Sequence, residues 1–266
     1  MAEILSQYML SDFELDKVQV RLTEMACVIE DILNKHAISH SIMNGTLLGA
    51  VRHGGFVPWD DDYDFVVFNE NYDEALDCLR KELPDWLFLE DEKSEPLYFH
   101  AWAHVKDLNT SAECKHFLQD NLYSHHGLSI DLYRIERLKL RNLCARGEEE
   151  YVNYISRGRM LGTMDDEEVK ERLGKLEWIT SNFWNYRMRS EDVKSIEREV
   201  YASVYTSRNY YEIEDFFPLK KYKFGDAEFW GPNDGDAVLT KCYGDYMELP
   251  PEEKRIPHYS KVEFLN

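Results

Sequence analysis

The sequence predicts an α/β or α+β fold, in which a mixed β-sheet is flanked by helices. Apolar residues recur at spacings of three and four from Leu15 to Ile32, the pattern of a helix with one buried face. Phe65 to Phe68 form a short apolar run of strand length, and Gly127 to Tyr133 form another. Helical and strand patterns therefore alternate along the chain, which favours a sheet covered by helices.

A chain of 266 residues, 44% of them hydrophobic, is long enough for one sizeable domain. We expect this domain to span residues 1–266. Residues 138–214 contain no recognisable motif, but from Arg141 to Arg189 they combine high charge with helical spacing. We therefore expect a helical segment at about 138–214 that packs on the sheet domain.

The charge balance is strongly acidic, with 51 acidic against 31 basic residues and a formal net charge of -20. Such a field repels polyanions, so binding to DNA or RNA is not expected. A small nucleotide is different, because a bound divalent cation would dominate the electrostatics around it.

The five cysteines are odd in number and scattered, and none forms a Cys-x-x-Cys pair. This usage is typical of reduced, packing cysteines and indicates a cytoplasmic protein. The first ten residues carry no basic start and no long apolar core, so neither a signal peptide nor a spanning helix is expected.

Four carboxylates fall within five positions just before the strand from Phe65 to Phe68. Asp62 and Asp64 are two residues apart as this strand begins, so both side chains should point to the same face. Neighbouring carboxylates repel one another unless a cation lies between them, and oxygen ligands suit Mg²⁺ or Mn²⁺. The cluster therefore predicts a divalent-metal site for phosphoryl chemistry, although Pro58 and the Asp run also fit a solvated turn.

A candidate phosphate cradle precedes the Asp cluster. A strand from Ile38 to Asn44 is expected to end at Gly45 and Thr46, before a short helix from Leu47 to His53. Glycine lets the backbone approach a ligand closely, and the amides that open a helix suit an anion. Arg52, within that helix, fits either a phosphate clamp or a solvated helix-end cation.

Two further side chains are candidates for the same site. Trp59 precedes the Asp run and could pack in the core or form an aromatic wall for a quaternary ammonium group. Asp131 lies alone among apolar residues in the strand from Gly127 to Tyr133. An unpaired carboxylate is costly in a core strand, so Asp131 either hydrogen-bonds to a neighbour or faces a site.

The run from Gly45 to Asp64 reads Gly-Thr-Leu-Leu-Gly-Ala-Val-Arg-His-Gly-Gly-Phe-Val-Pro-Trp-Asp-Asp-Asp-Tyr-Asp. It closely resembles the hallmark stretch of the LicD family, which has a nucleotidyltransferase-like fold and counts fukutin and the fukutin-related protein as distant relatives. A second similar segment, from Tyr243 to Pro251, is followed by Arg255 and His258. The resemblance therefore brackets most of the chain.

The resemblance implies a CDP-choline-dependent cholinephosphotransferase. Such an enzyme moves phosphocholine from CDP-choline to a hydroxyl of a bacterial cell-surface glycan precursor and releases CMP. The acceptor could be a teichoic acid, a lipopolysaccharide or a capsule unit.

The resemblance also implies roles for individual residues. Asp131 would be the third metal-binding carboxylate beside Asp62 and Asp64, and one aspartate, foremost Asp131, would accept the proton of the attacking hydroxyl. Lys106 follows a strand expected from Leu97 to Val105. It would neutralise the diphosphate, or it is an ordinary exposed lysine.

Two alternatives stay open at this point: nucleotidyl or other phospho-alditol transfer on the same metal scaffold, and a non-catalytic binding module of this fold. The intact aspartates argue against the second. The acceptor is expected to be lipid-linked, which would bring the enzyme into peripheral contact with the inner membrane surface. Lys220, Lys221 and Lys223 form a basic patch, expected in a turn region, that could make this contact or simply be solvated.

Overall fold

In a computed structural model of the chain, the structure describes residues 14–98, 100–114, 123–175, 197–203 and 209–265. The helices are α1 (Leu15–Lys35), α2 (Asn44–His53), α3 (Tyr72–Glu82), α4 (Leu143–Met160), α5 (166–175), α6 (Ile213–Phe216) and α7 (Gly235–Tyr243). The strands are β1 (His40–Ile42), β2 (Asp64–Phe68), β3 (Leu87–Glu90), β4 (Ala103–Asp107), β5 (Thr110–Cys114), β6 (Ser129–Lys139), β7 (Glu199–Ser203), β8 (Asn209–Tyr211), β9 (Lys220–Phe224), β10 (Ala227–Gly231) and β11 (Tyr259–Phe264). Within these described ranges, no helix is long and apolar enough to cross a membrane.

Seven strands form the main sheet. Its path runs β1-β2-β6-β4-β3, and β7 pairs with the C-terminal part of β6 before β8 pairs with β7. Strands β2 and β6 are parallel, whereas the other neighbours in the sheet are antiparallel. The sheet is therefore mixed, and together with the helices it confirms the predicted fold class. The pairs β9–β10 and β5–β11 form two small separate sheets.

The core lies between the main sheet and helices α1 and α3. Every residue of β2 is buried, because the strand lies inside the sheet and its apolar side chains pack in the main hydrophobic core. Helix α1 contributes a stripe of fully buried side chains at helical spacing: Val18, Leu22, Met25, Ile29 and Leu33. Burying one such side chain contributes roughly 1.5–3 kcal/mol. This packing fixes the end of β2 that carries the Asp cluster.

A strand was expected from Leu97 to Val105, and its predicted start is wrong. The observed strand begins at Ala103. Pro96 and Leu97 lie in a turn, in which the Tyr98 amide donates to the Glu95 carbonyl at 3.1 Å. A hydrogen bond between residues three apart holds the backbone in a turn and keeps it out of the sheet ladder.

The basic patch of Lys220, Lys221 and Lys223 lies on strand β9, and its expected placement in a turn region is wrong. The lysines are exposed, while Phe224 on the same strand is buried. The turn itself follows the strand at Gly225, whose φ of 62° lies in the left-handed region that glycine adopts without strain.

Residues 138–214 contain both helices and strands in the described part of the chain. Helices α4 and α5 account for 143–160 and 166–175, and β7 and β8 join the main sheet. Leu173 on α5 is exposed. Residues 176–196 of this segment lie outside the described residues. The extent of the domain stays a prediction.

Candidate active site

The floor of the candidate site is formed by β4 and β6, which run antiparallel. His104 lies directly opposite Asp131, and Lys106 lies opposite Ser129. One step further along, the rings of Trp102 and Tyr133 have centroids 4.8 Å apart. Alternation brings these side chains to one face of the sheet. All six line a single cleft: Trp102, His104, Lys106, Ser129, Asp131 and Tyr133.

The register of β2 adds the Asp cluster to this floor. Asp64 lies directly opposite Asp131 across the parallel β2–β6 pair. Asp62 precedes β2 and lines the same cleft as Asp131. Tyr63, between the two aspartates, is fully buried, as its opposite orientation predicts. The structure thus brings together the three carboxylates singled out from the sequence.

The carboxylates of the cluster disfavour one another's charge. Burial, followed by repulsion from Asp62, raises the pKa of Asp60 to about 8. Burial and then repulsion from Asp62 and Asp131 raise the pKa of Asp64 well above its usual value. Burial also raises the pKa of Asp62, with His258 opposing the shift and Asp131 adding to it. A cation placed among these oxygens would relieve the repulsion.

Asp131 is the exception, because its pKa is lowered. Burial alone would raise it, but His104 and a hydrogen bond from Tyr133 outweigh that effect. His104 Nε2 lies 3.2 Å from Asp131 Oδ1, and the Tyr133 hydroxyl donates to Asp131 Oδ2 at 2.6 Å. Asp131 therefore remains an ionised carboxylate.

The first turn of α2 contacts the Asp cluster directly. The Asp64 amide donates to Thr46 Oγ1 at 2.8 Å. A Cβ added at Gly45 would lie 2.8 Å from Asp60 Oδ2, so only glycine leaves room for this carboxylate. The helix begins at Asn44, earlier than expected, and Gly45 and Thr46 therefore belong to its first turn. The amide groups there have no partner within the helix and can face an anion.

Asp61 has a different role from its neighbours. Its side chain is fully buried and accepts the backbone amides of His258 at 2.7 Å and of Tyr259 at 2.8 Å. His258 Nδ1 lies 3.1 Å from the same carboxylate. The hydrogen bond with Asp61 is the main cause that raises the pKa of His258 to about 9. Asp61 therefore fastens the C-terminal segment to the Asp cluster.

The donor set fits a hard divalent cation such as Mg²⁺ or Mn²⁺. Asp62 Oδ1 is buried and has no hydrogen-bond partner within the described residues, and a bound cation would satisfy it. Among the same residues, Asp60, Asp61 and His258 offer ligand atoms within 4.8 Å of one another. Because the Asp61 oxygens already accept several N–H groups, Asp62, Asp64 and Asp131 stay the predicted ligands, although their oxygens do not meet the same 4.8 Å distance among the described residues.

The remaining predicted residues divide between two places. Lys106 lines the cleft and is nearly buried, with its Nζ 3.9 Å from Glu90 Oε2. Arg52 donates from Nη1 to the Tyr246 carbonyl at 2.5 Å. The ring of Trp59 is covered by the Arg255 guanidinium, 5.2 Å from its centroid. Lys106 is thus beside the carboxylates, whereas Arg52 and Trp59 contact the segment after α7.

His104 and Glu90 lie in the site but were not predicted from the sequence. His104 lies between Asp131 and the fully buried Glu90, whose Oε2 is 3.2 Å from His104 Nδ1. Burial alone would lower the pKa of His104, but Asp131 and Glu90 raise it to about 9. The alternation of Trp102, His104 and Lys106 was the available signal, since the three share one strand face.

A mixed sheet with carboxylates on adjacent strands, beside the first turn of a helix, is the arrangement expected of a nucleotidyltransferase-like fold. Residues 37–94 match the family model described as "LicD/FKTN/FKRP, nucleotidyltransferase domain". The chain is 26% identical, over 274 residues, to the lipopolysaccharide cholinephosphotransferase LicD of Haemophilus influenzae. That alignment covers 94% of this chain and 99% of the relative.

Two further relatives carry no functional name. An uncharacterized protein of Rickettsia prowazekii is 24% identical over 146 residues, covering 48% of this chain and 49% of that protein. One from Rickettsia typhi is 39% identical over 56 residues, covering 21% and 18%. The resemblance to the LicD family that the hallmark run indicates is confirmed, and the chain is related to that family along nearly its whole length.

Proposed function

We propose that the protein is a cholinephosphotransferase that moves phosphocholine from CDP-choline to a hydroxyl of a bacterial cell-surface glycan precursor and releases CMP. The observation that carries the proposal is the strand register, which places Asp64 opposite Asp131. The alignment with a named cholinephosphotransferase, which covers 94% of this chain, supports it. Carboxylates held together in this way are suited to phosphoryl transfer.

The proposed cofactor is Mg²⁺ or Mn²⁺, held by Asp62, Asp64 and Asp131. When bound, such an ion neutralises the diphosphate and stabilises charge on the leaving CMP. The chain itself supplies further positive charge, because Lys106 lines the cleft beside Asp131. The α2 amides at Gly45 and Thr46 would face phosphate oxygens, and Arg52 stays a predicted phosphate contact.

The acceptor hydroxyl must lose its proton as its oxygen bonds to phosphorus. Asp131 as the proton acceptor stays a prediction. Its lowered pKa makes it a weak base, which favours the metal-binding role for this carboxylate.

The proposal includes a lipid-linked acceptor, such as a teichoic acid, lipopolysaccharide or capsule precursor. It also places the enzyme in the cytoplasm, at the inner membrane surface. Among the described cysteines, Cys27, Cys78 and Cys242 are free thiols, which suits a reducing compartment. Lys220 and Lys223 on β9 are exposed and support contact with an anionic surface, whereas Lys221 pairs with the buried Glu30.

The test is CMP release from CDP-choline by the purified protein, with lipid-linked glycan precursors as acceptors and mass spectrometry of the glycan product. We expect release with Mg²⁺, loss of release with EDTA, and recovery on adding excess Mg²⁺ or Mn²⁺. Equal release from CDP-glycerol would instead favour phospho-alditol transfer. Thermal stabilisation by CDP-choline without turnover on any acceptor would favour a binding module.

A further inference from the structure

The cleft floor changes in character from one end to the other. Lys106 and Ser129 form its first row and His104 and Asp131 its second, so this part is charged and polar. Trp102 and Tyr133 form the third row, with ring planes inclined at 41° and centroids 4.8 Å apart. Both rings are only partly buried and line the same cleft. The aromatic row therefore continues directly from the row that carries Asp131.

We propose that Trp102 and Tyr133 form the binding surface for the trimethylammonium head of the donor. The inference rests on the proposed function, because it takes phosphocholine as the transferred group. A quaternary ammonium has no N–H to donate, so aromatic faces and nearby negative charge are the partners that attract it. Trp102 and Tyr133 offer such faces in the row next to Asp131, and both line the cleft.

The spacing of the rows fits the shape of phosphocholine. Successive side chains on one face of a strand are about 6.8 Å apart, twice the rise per residue. Four bonds separate the phosphorus of phosphocholine from its ammonium nitrogen, a span of at most about 5 Å, and the methyl groups extend this reach to about one such step. With its phosphate near Asp131, the ammonium reaches the aromatic row. The Tyr133 ring is held in place there, because its hydroxyl donates to Asp131.

The other aromatic candidates are less suited to a cation. The guanidinium of Arg255 lies over the Trp59 ring and would repel an ammonium group. Tyr259 lies at the opposite end of the floor, where its hydroxyl is 3.2 Å from Ser129 Oγ and Lys106 is nearby. Trp102 is therefore the residue through which the donor's methyl groups can be selected.

Donor selectivity in Trp102 variants tests the inference. CDP-ethanolamine carries a primary ammonium that can hydrogen-bond to carboxylates or water, so it depends less on an aromatic face. For Trp102→Met we expect the KM for CDP-choline to rise roughly 3- to 30-fold, with a smaller change for CDP-ethanolamine. Trp102→Phe keeps an aromatic face and should retain most of the preference. Trp230→Leu is the control, since Trp230 contacts Asn34 on α1 and not the cleft.

A binding measurement decides the inference without turnover. Phosphocholine should change the tryptophan fluorescence of the wild type, and this change should be absent in Trp102→Phe but present in Trp230→Leu. An equal fluorescence change in wild type and Trp102→Phe would overturn the inference, as would an equal loss of both donors in Trp102→Met. If the wild type binds phosphocholine through Trp102 but releases no CMP from CDP-choline, the proposed function fails while the binding site stands.

Discussion

His104 shows how a single residue sets the state of the site. Its imidazole lies between Asp131 and Glu90, at 3.2 Å from each carboxylate. The pKa of about 9 means that the ring carries a positive charge at neutral pH. This charge offsets the burial of Asp131 and holds its carboxylate in the ionised form that a metal ligand requires.

The pH dependence of stability follows from His104. Burial alone would lower the pKa of His104, but Asp131 and Glu90 raise it in the folded protein to about 9, against an ordinary value near 6.5. Between these two pH values the folded protein therefore binds more protons than the unfolded protein. The stabilisation is fully present below about pH 6.5 and is lost as the pH rises through about 9. We expect the free energy of unfolding of the wild type, relative to His104→Gln, to fall by on the order of 2 kcal/mol between pH 6 and pH 10. Urea denaturation at a series of pH values measures it, and a gap that widens with pH would contradict the assignment.

Asp62 is predicted to be needed for function but not for folding. Its charge is disfavoured by Asp131 in a buried cluster, so Asp62→Asn should leave the metal-free protein as stable as the wild type or more stable. The variant should lose CMP release and most of the thermal stabilisation that Mg²⁺ gives the wild type. Asp226→Asn, at the exposed turn after β9, serves as the matched control. Full activity in Asp62→Asn would remove this residue from the catalytic group.

At the scale of elements, the sequence pattern of a segment predicts a helix or strand that forms mainly by burying its own apolar side chains. Helix α1 and strand β2 were predicted from apolar periodicity and an apolar run, because burial of apolar side chains decides each of them. The sheet register was not predictable in the same way. It pairs β2 with β6 and β6 with β4, segments far apart in the chain, and only their packing together determines which residues are opposite.

This difference explains which site residues were found. Asp62 and Asp64 stand out because they are only two positions apart in the sequence, and Asp131 stands out as a charge in an apolar strand. Glu90 and His104 look ordinary in their own segments. Their importance arises only when the register places them in one row with Asp131.

Helix α2 provides a matched pair of glycine substitutions. In Gly45→Ala the new Cβ meets a carboxylate oxygen of Asp60, a side chain that can rotate away. In Gly49→Ala it lies 2.3 Å from the Gly55 carbonyl oxygen, which belongs to the backbone. We expect Gly45→Ala to fold but to lose at least about tenfold in CMP release, because the Asp cluster is displaced. Gly49→Ala should lose roughly 1–3 kcal/mol of stability through overpacking. Denaturation and activity assays on both variants check this contrast, and the reverse ranking would refute it.

At the scale of the whole molecule, the Asp cluster and the C-terminal segment meet at the site. The amide of His258 donates to Asp61 across 197 positions of sequence, and strand β11 pairs with β5 just beyond it. The C-terminal segment therefore forms one wall of the cleft, where His258 and Tyr259 both line it. This explains why the stretches that resemble the family lie near the beginning and the end of the chain.

Substitutions at Asp61 and His258 test whether Asp61 holds the C-terminal segment to the Asp cluster. Asp61→Asn leaves one oxygen and one amide group where two oxygens accept backbone N–H groups, so a buried donor loses its partner. We expect a loss of roughly 1–3 kcal/mol and reduced CMP release, because Asp60 and Asp62 flank the changed residue. His258→Ala removes only the imidazole and keeps both backbone donors, so its loss of stability should be the smaller. Urea denaturation of the two variants ranks them. If His258→Ala is the more damaging, the imidazole and not the backbone holds the C-terminal segment in place.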